Sequence, residues 1–308
     1  MVTRQGWPVL DTKSEAWGFA CRAILAIGTA FSFAIARAGI LGGQSPADLI
    51  LLRFGVAGLV LLPVLLRGGV TTLAGIGWKR GLALLLLGGP LFAGLQTGGY
   101  AFAPLAHGAV IAPATVTIVS TLLAATVLGE RPGRAHFVGA ALVLAGIVLI
   151  SLHGLLAPEG GRSWVGDLMF FTSSLLWAGF TVMVRLWRLD AIRAVAVVAV
   201  LSLLVVVPSY AVVVGLAHLA SLPVGPLVLQ AVVQGGLQGV IAIIAYSHAV
   251  RVLGVSRTVL FPAIVPAVSV PLGIPIVGEI PSPVQVAGLV LVTFGLLAAV
   301  GVFRRRRA

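Results

Sequence analysis

Two short stretches, Leu128-Gly-Glu-Arg-Pro-Gly-Arg134 and Val277-Gly-Glu-Ile-Pro281, carry the same Gly-Glu-x-Pro turn, with Glu130 and Glu279 separated by 149 positions. The apolar segment after the first holds Gly139 and Gly146, and the one after the second holds Gly288 and Gly295. The same offset lays Pro113 on Pro262. A proline, a turn and two helix glycines in one register mark an internal repeat. The chain is two copies of one unit.

Composition says what kind of unit this is. Hydrophobic residues make up 59% of the 308 residues and charged residues 9%, against roughly 45–50% and 25% in soluble domains. The apolar runs extend for about 20 residues, enough to cross a hydrocarbon core about 30 Å thick. The chain therefore reads as an all-α membrane protein. Its net charge of +12 does not imply nucleic acid, because the basic residues sit in short clusters between apolar runs, where they set membrane orientation. The single cysteine, Cys21, excludes an intrachain disulfide and a Cys-x-x-Cys metal site. Residues 1–15 are polar, with no cleavage pattern of a signal peptide.

The pattern predicts ten helices, at roughly 16–38, 46–67, 80–103, 108–128 and 134–153, then 164–186, 192–215, 226–250, 255–277 and 282–303. Residues 1–15 form an N-terminal segment, 16–153 the first repeat, 154–163 a connecting loop, 164–303 the second repeat and 304–308 a basic tail. Ser45-Pro-Ala-Asp48 opens the second helix as a capping serine, a first-turn proline and an acid at the positive end of the dipole. With the N-terminus inside, only Arg37, Arg53 and Arg162 of the 20 basic residues fall outside the cytoplasmic clusters. Both termini are thus expected in the cytoplasm of a bacterial cell, with the chain in its inner membrane. Five helices is an odd number, so the second repeat is inverted, an architecture typical of secondary transporters.

Pro46 with Leu52-Arg53-Phe54, Trp177 with Arg185, and the two Gly-Glu-x-Pro turns resemble the EamA-type members of the drug/metabolite transporter superfamily. The resemblance runs from Trp17 to Phe303 and has one departure, Thr29 where such proteins often carry tryptophan. It implies a ten-helix carrier of small metabolites, many members exporting amino acids. It also implies a central site framed by helices one to four and six to nine, with the fifth and tenth at the periphery.

Few polar residues interrupt the spans, and these are the candidates. Arg53 lies inside the second helix, where a lipid-facing arginine costs about 2.5–3.5 kcal/mol; it holds either a substrate carboxylate or neighbouring structure. Gln230, Gln234 and Gln238 form one stripe, suited to binding a polar solute or to tying helices together. Phe92, Gln96, Thr117 and Trp177 join Arg53, Gln234 and Gln238 as cavity candidates. Tyr100 and Tyr246, near opposite ends of the bundle, are gate candidates. Pro262, Pro266, Pro271 and Pro275 predict a discontinuous ninth helix beside the site, since each removes a backbone donor. Glu130 and Glu279 stabilise the repeated turns. The five histidines scatter near helix ends, and most are expected at the interface.

Several classes are excluded. No phosphate-cradling Gly-x-x-x-x-Gly-Lys loop and no His-Glu-x-x-His motif occurs. No acid–histidine pair is expected within the membrane for hydrolysis. No metal, cofactor or nucleic acid is implied; the expected partners are a small-molecule substrate and membrane lipids, and the sequence suits a monomer or a homodimer equally. The expected activity is export of small metabolites such as amino acids by alternating access. The alternatives are a drug or nucleotide-sugar carrier of the same fold, a non-transporting sensor or assembly subunit, or an intramembrane enzyme acting on lipid-linked substrates.

Overall fold

The computed structural model describes residues 15–127, 129, 133–156, 161–245 and 261–299, with the side chains at 15–23, 153–156 and 261–263 excepted. Glu130 and Tyr246 lie outside the described residues, as does the side chain of Pro262. The segments are α1 (Glu15–Leu41), α2 (Pro46–Gly68), α3 (Trp78–Ala101), α4 (Leu105–Val127), α5 (Arg134–Leu156), α6 (Ser163–Leu186), α7 (Ala191–Val213), α8 (Val224–Ala245), α9 (Phe261–Val277) and α10 (Pro283–Ala299). A short helix, Leu216–Ser221, lies between α7 and α8. Among the described residues there is no strand. Within the described residues, eight of these helices are long and apolar enough to cross a membrane, and the described parts of α9 and α10 span 17 residues each.

Local chemistry sets the helix ends. Ser45 caps α2 by accepting the Asp48 amide at 3.2 Å, and Asp48 returns a bond to the Ser45 amide at 2.7 Å, a reciprocal capping box. Gly129 and Gly278, the glycines of the two repeated turns, stand at φ 70° and 75°, a left-handed conformation that side chains resist. The motif is a helix-ending device in both copies.

The breaks fall elsewhere than proline content predicts. α9 continues unbroken from Phe261 to Val277, with Pro266, Pro271 and Pro275 inside it, so the expected discontinuity is not present at Pro266, while the segment that leads into Pro262 lies outside the described residues. Spaced four or five residues apart, each proline removes a single hydrogen bond and leaves helix on both sides. α3 is the interrupted helix: Trp78–Gly88 stops, Pro90–Gly98 restarts, and Gly99–Ala101 closes as a 3-10 turn. Gly89, at ψ −146°, has left the helical region, as a residue before proline tends to do. A Cβ there would lie 2.2 Å from the Leu85 carbonyl oxygen, so only glycine fits. α8 winds as a π-helix over Ala231–Ile241.

The helices pair in a way that exchanges the repeats: α4 packs on α6 as α9 packs on α1, and α3 touches α7 as α8 touches α2. Equivalent helices also run against each other. Across α5 and α10, Gly139 meets Gly295 and Gly146 meets Gly288, a register that rises on one helix as it falls on the other. Across α2 and α7, Asp48 meets Tyr210 and Gly58 meets Ala199, the same antiparallel order. Two copies whose corresponding helices are antiparallel are inverted relative to each other.

Candidate functional site

A row of rings crosses the middle of the bundle. Trp177 of α6 stacks on Phe92 of α3 (4.9 Å between centroids, 25° between planes) and on Phe180 (4.9 Å, 19°). Arg53 of α2 lies at the end of this row, its Cζ 5.6 Å from the Phe92 centroid and 5.9 Å from that of Phe54. Among the described residues no carboxylate comes within ion-pair distance of Arg53. Its guanidinium is held by ring faces and keeps its hydrogen-bond donors for another partner. The break at Gly89–Pro90 restarts α3 and puts Phe92 in its new first turn. One turn on, Gln96 accepts a bond from Ser173 Oγ at 2.8 Å, while its Nε2 is buried without a partner. Arg53, Phe92, Gln96 and Trp177 are therefore brought together.

The other cavity candidates sit differently. Gln234 accepts from Ser32 Oγ at 3.0 Å and donates to the Ser32 carbonyl at 2.8 Å. Gln230 donates to the Ile35 carbonyl at 2.7 Å, and Gln238 accepts from Thr29 at 3.4 Å. The glutamine stripe is thus a seam between α8 and α1. Beside it, a Cβ on Gly235 would lie 2.5 Å from Val56 Cβ, so α2 comes as close as the glycines allow. Thr117 donates to the Pro113 carbonyl of its own helix at 2.8 Å.

At one end of the bundle, charges join the two repeats. Arg37 of α1 gives both Nε and Nη2 to Glu279 Oε1 at 2.7 Å, and its Nη1 donates to the Tyr100 carbonyl. Glu279 Oε2 accepts the Leu105 amide at 2.7 Å. One arginine–glutamate pair thereby holds α1, the end of α3, the start of α4 and the end of α9. Glu279 does more than stabilise its turn, and Arg37, which sequence counting left as an unassigned cation, is its partner. Tyr100 is 1% exposed, with its ring against Phe170 (4.9 Å) and Phe33 (6.4 Å). A cavity of about 180 Å³ lies alongside, bordered by Leu105, Val270, Glu279 and Gln285.

Two acid–histidine contacts form among the described residues, one at the start of α4 and one on the short helix between α7 and α8. His107 Nδ1 of α4 lies 2.7 Å from Asp167 Oδ1 of α6, and His107 is 1% exposed. His218 Nε2 lies 3.5 Å from Asp48 Oδ2, whose other oxygen accepts the Tyr210 hydroxyl. Neither pair has a nucleophile joined to it in the manner of a hydrolytic triad: His107 Nε2 has no partner, and Asp48 is occupied by Ser45 and Tyr210. Among the described residues no three His, Cys, Asp or Glu converge as metal ligands.

Of the residues that sequence reasoning missed, Asp167 lies on a helical stripe, though that stripe does not assign it a role. Ser163, Gly166, Phe170, Ser173 and Ser174 are buried on α6, and Asp167 and Trp177 continue the same i, i+3, i+4 spacing. Followed toward the start of α6, the stripe that contains Trp177 leads directly to Asp167.

Comparison with known proteins agrees with the two-repeat fold. The model of the EamA-like transporter family matches residues 16–152 and again residues 164–301. A solved structure, described only as the crystal structure of a protein, superposes with a TM-score of 0.58 at 23% identity. The alignment covers 95% of this chain and 98% of that one, a likeness of fold. No curated protein matches the sequence.

Proposed function

The chain belongs to the EamA-like transporter family, with one family unit in each half, and from that premise we propose that it is a secondary carrier of the bacterial inner membrane exporting small metabolites such as amino acids. The observation that carries this reading is the arrangement of Arg53, Phe92 and Trp177. A guanidinium without a carboxylate partner among the described residues stands beside a stacked aromatic row at the contact of α2, α3 and α6. A permanent cation in the bilayer interior is expensive, and a charge there commonly marks a substrate or ion pathway. Arg53 would hold the substrate carboxylate, Phe92 and Trp177 its apolar side chain, and Gln96 Nε2 a further acceptor.

Inverted repeats supply the motion. Two antiparallel copies can rock about the site so that each side of the membrane gains access in turn. By the distribution of basic residues, both termini are cytoplasmic and the Arg37–Glu279 tie closes the outer side. Tyr100, packed under that tie, would be part of the same closure.

Counterflow in proteoliposomes tests the reading. Vesicles preloaded with unlabelled L-phenylalanine should take up the labelled amino acid faster than empty vesicles, and R53A should abolish the difference. Absence of counterflow by the well-folded wild type, across phenylalanine and a panel of other amino acids, would sink the proposal.

A further inference from the structure

His107 and Asp167 belong neither to the row around Arg53 nor to the Arg37–Glu279 tie. They join α4 to α6, and both are enclosed: His107 is 1% exposed and the Asp167 side chain 12%. Each has one atom committed and one open. Nδ1 of the ring faces Oδ1 of the acid at 2.7 Å, whereas His107 Nε2 and Asp167 Oδ2 are buried without a partner. With Nδ1–H donating to the carboxylate, the free atom of the neutral ring is the Nε2 lone pair, a proton acceptor. The scaffold does not need this pair. The 149-residue offset lays His107 on Ser256 and Asp167 on Gly18, neither of which carries charge. The inverted contact of α9 with α1 is made without a histidine–acid pair, so the α4–α6 pair serves something other than packing.

We propose that His107 and Asp167 form a proton-binding site through which this carrier exchanges protons for its substrate; the inference rests on the carrier reading above. A proton from the outer side adds to Nε2, converting imidazole–carboxylate, of net charge −1, into an imidazolium–carboxylate pair of net charge zero. Release toward the other side restores the lone pair. Among the described residues, the charged and titratable groups around the pair are few. Tyr100, on the end of α3, packs on Phe170 of α6. Glu279, from the end of α9, accepts the Leu105 amide two residues before His107 and is neutralised by Arg37 of α1. Arg162, just before α6, lies over the Phe102 ring at 5.2 Å. With Arg37 and Glu279 cancelling, the charge of this end changes with the proton on His107.

Two measurements decide the matter. In proteoliposomes whose lumen is one pH unit more acidic than the medium, wild type should accumulate L-phenylalanine up to about tenfold if one proton exchanges for one substrate. H107Q and D167N should keep counterflow at equal pH and lose the accumulation. Wild-type accumulation that ignores the gradient, or H107Q that retains it, overturns the proposal. Independently of any substrate, nitrogen NMR of the histidine rings in the purified protein reads proton binding directly. One signal, missing in H107Q, should change from neutral to doubly protonated on acidification, and should move in D167N. A His107 signal without that change overturns the proposal even if transport is found. Proton binding without phenylalanine counterflow leaves the site standing and counts against the carrier reading for that solute.

Discussion

At the scale of single residues, the polar groups inside this bundle divide into those with partners and those without. Asp48 is fully buried and saturated by Ser45 and Tyr210. Tyr210→Phe removes one donor and leaves a buried carboxylate oxygen facing a ring edge, so a loss of about 1–3 kcal/mol is expected. It should be read as a lower unfolding temperature in detergent with counterflow retained. Arg53 is the opposite case. If it holds a substrate carboxylate, Arg53→Ala should raise KM for phenylalanine roughly ten- to hundredfold, since hydrogen bonds to charged groups contribute about 1.5–3 kcal/mol. It should affect phenethylamine, which lacks the carboxylate, far less. Equal losses for both solutes would assign Arg53 to structure. Arg53 and Trp177 were evident in the sequence because a charge or a large ring in an apolar run has few reasons to be there. The roles of His107 and Asp167 were not. Each lies in the opening turns of its helix, where a polar residue ordinarily meets the membrane surface. Only the packing of α6 against α3 and α4 encloses them.

At the scale of helices, glycine decides where backbones meet, and proline counts for less than its number suggests. Gly139, Gly146, Gly288 and Gly295 could be read from the repeat, but their partners could not, since spacing alone does not say that Gly139 faces Gly295. The α3 break was overlooked because Gly88-Gly89-Pro90 holds a single proline, whereas α9 holds several and stays helical. The π-helical turn of α8 has no period that distinguishes it from an α-helix in so short an apolar run. Substitution tests the contacts. A Cβ at Gly146 would fall 2.7 Å from the Gly288 carbonyl oxygen, and one at Gly288 2.5 Å from Ile150 Cγ1. Gly146→Ala and Gly288→Ala should each destabilise by about 1–3 kcal/mol, because backbone atoms cannot move aside cheaply. Gly236→Ala meets nothing within 4 Å and should be neutral in the same thermal assay.

At the scale of the molecule, the antiparallel contacts of α2 with α7 and α5 with α10 express the inverted duplication in three dimensions. What joins the halves is local. Arg37 and Glu279 lie in different repeats, and their pair also holds the end of α3 and the start of α4. In a rocking carrier, the outer side opens only when that tie separates. A single native cysteine makes this accessible to chemistry: in a Cys21→Ala background, Ser173→Cys places one thiol at the buried contact with Gln96, beneath the tie. A membrane-impermeant maleimide applied from the outer side should label it slowly. Glu279→Gln or Arg37→Gln should each raise the labelling rate several-fold. The double variant should go no further than either single one, because both remove the same interaction and their effects cannot add. Labelling that is unchanged in the single variants would mean that the pair holds the fold without closing the path. Additive effects would mean that Arg37 and Glu279 act on separate contacts, Arg37 through the Tyr100 carbonyl and Glu279 through the Leu105 amide.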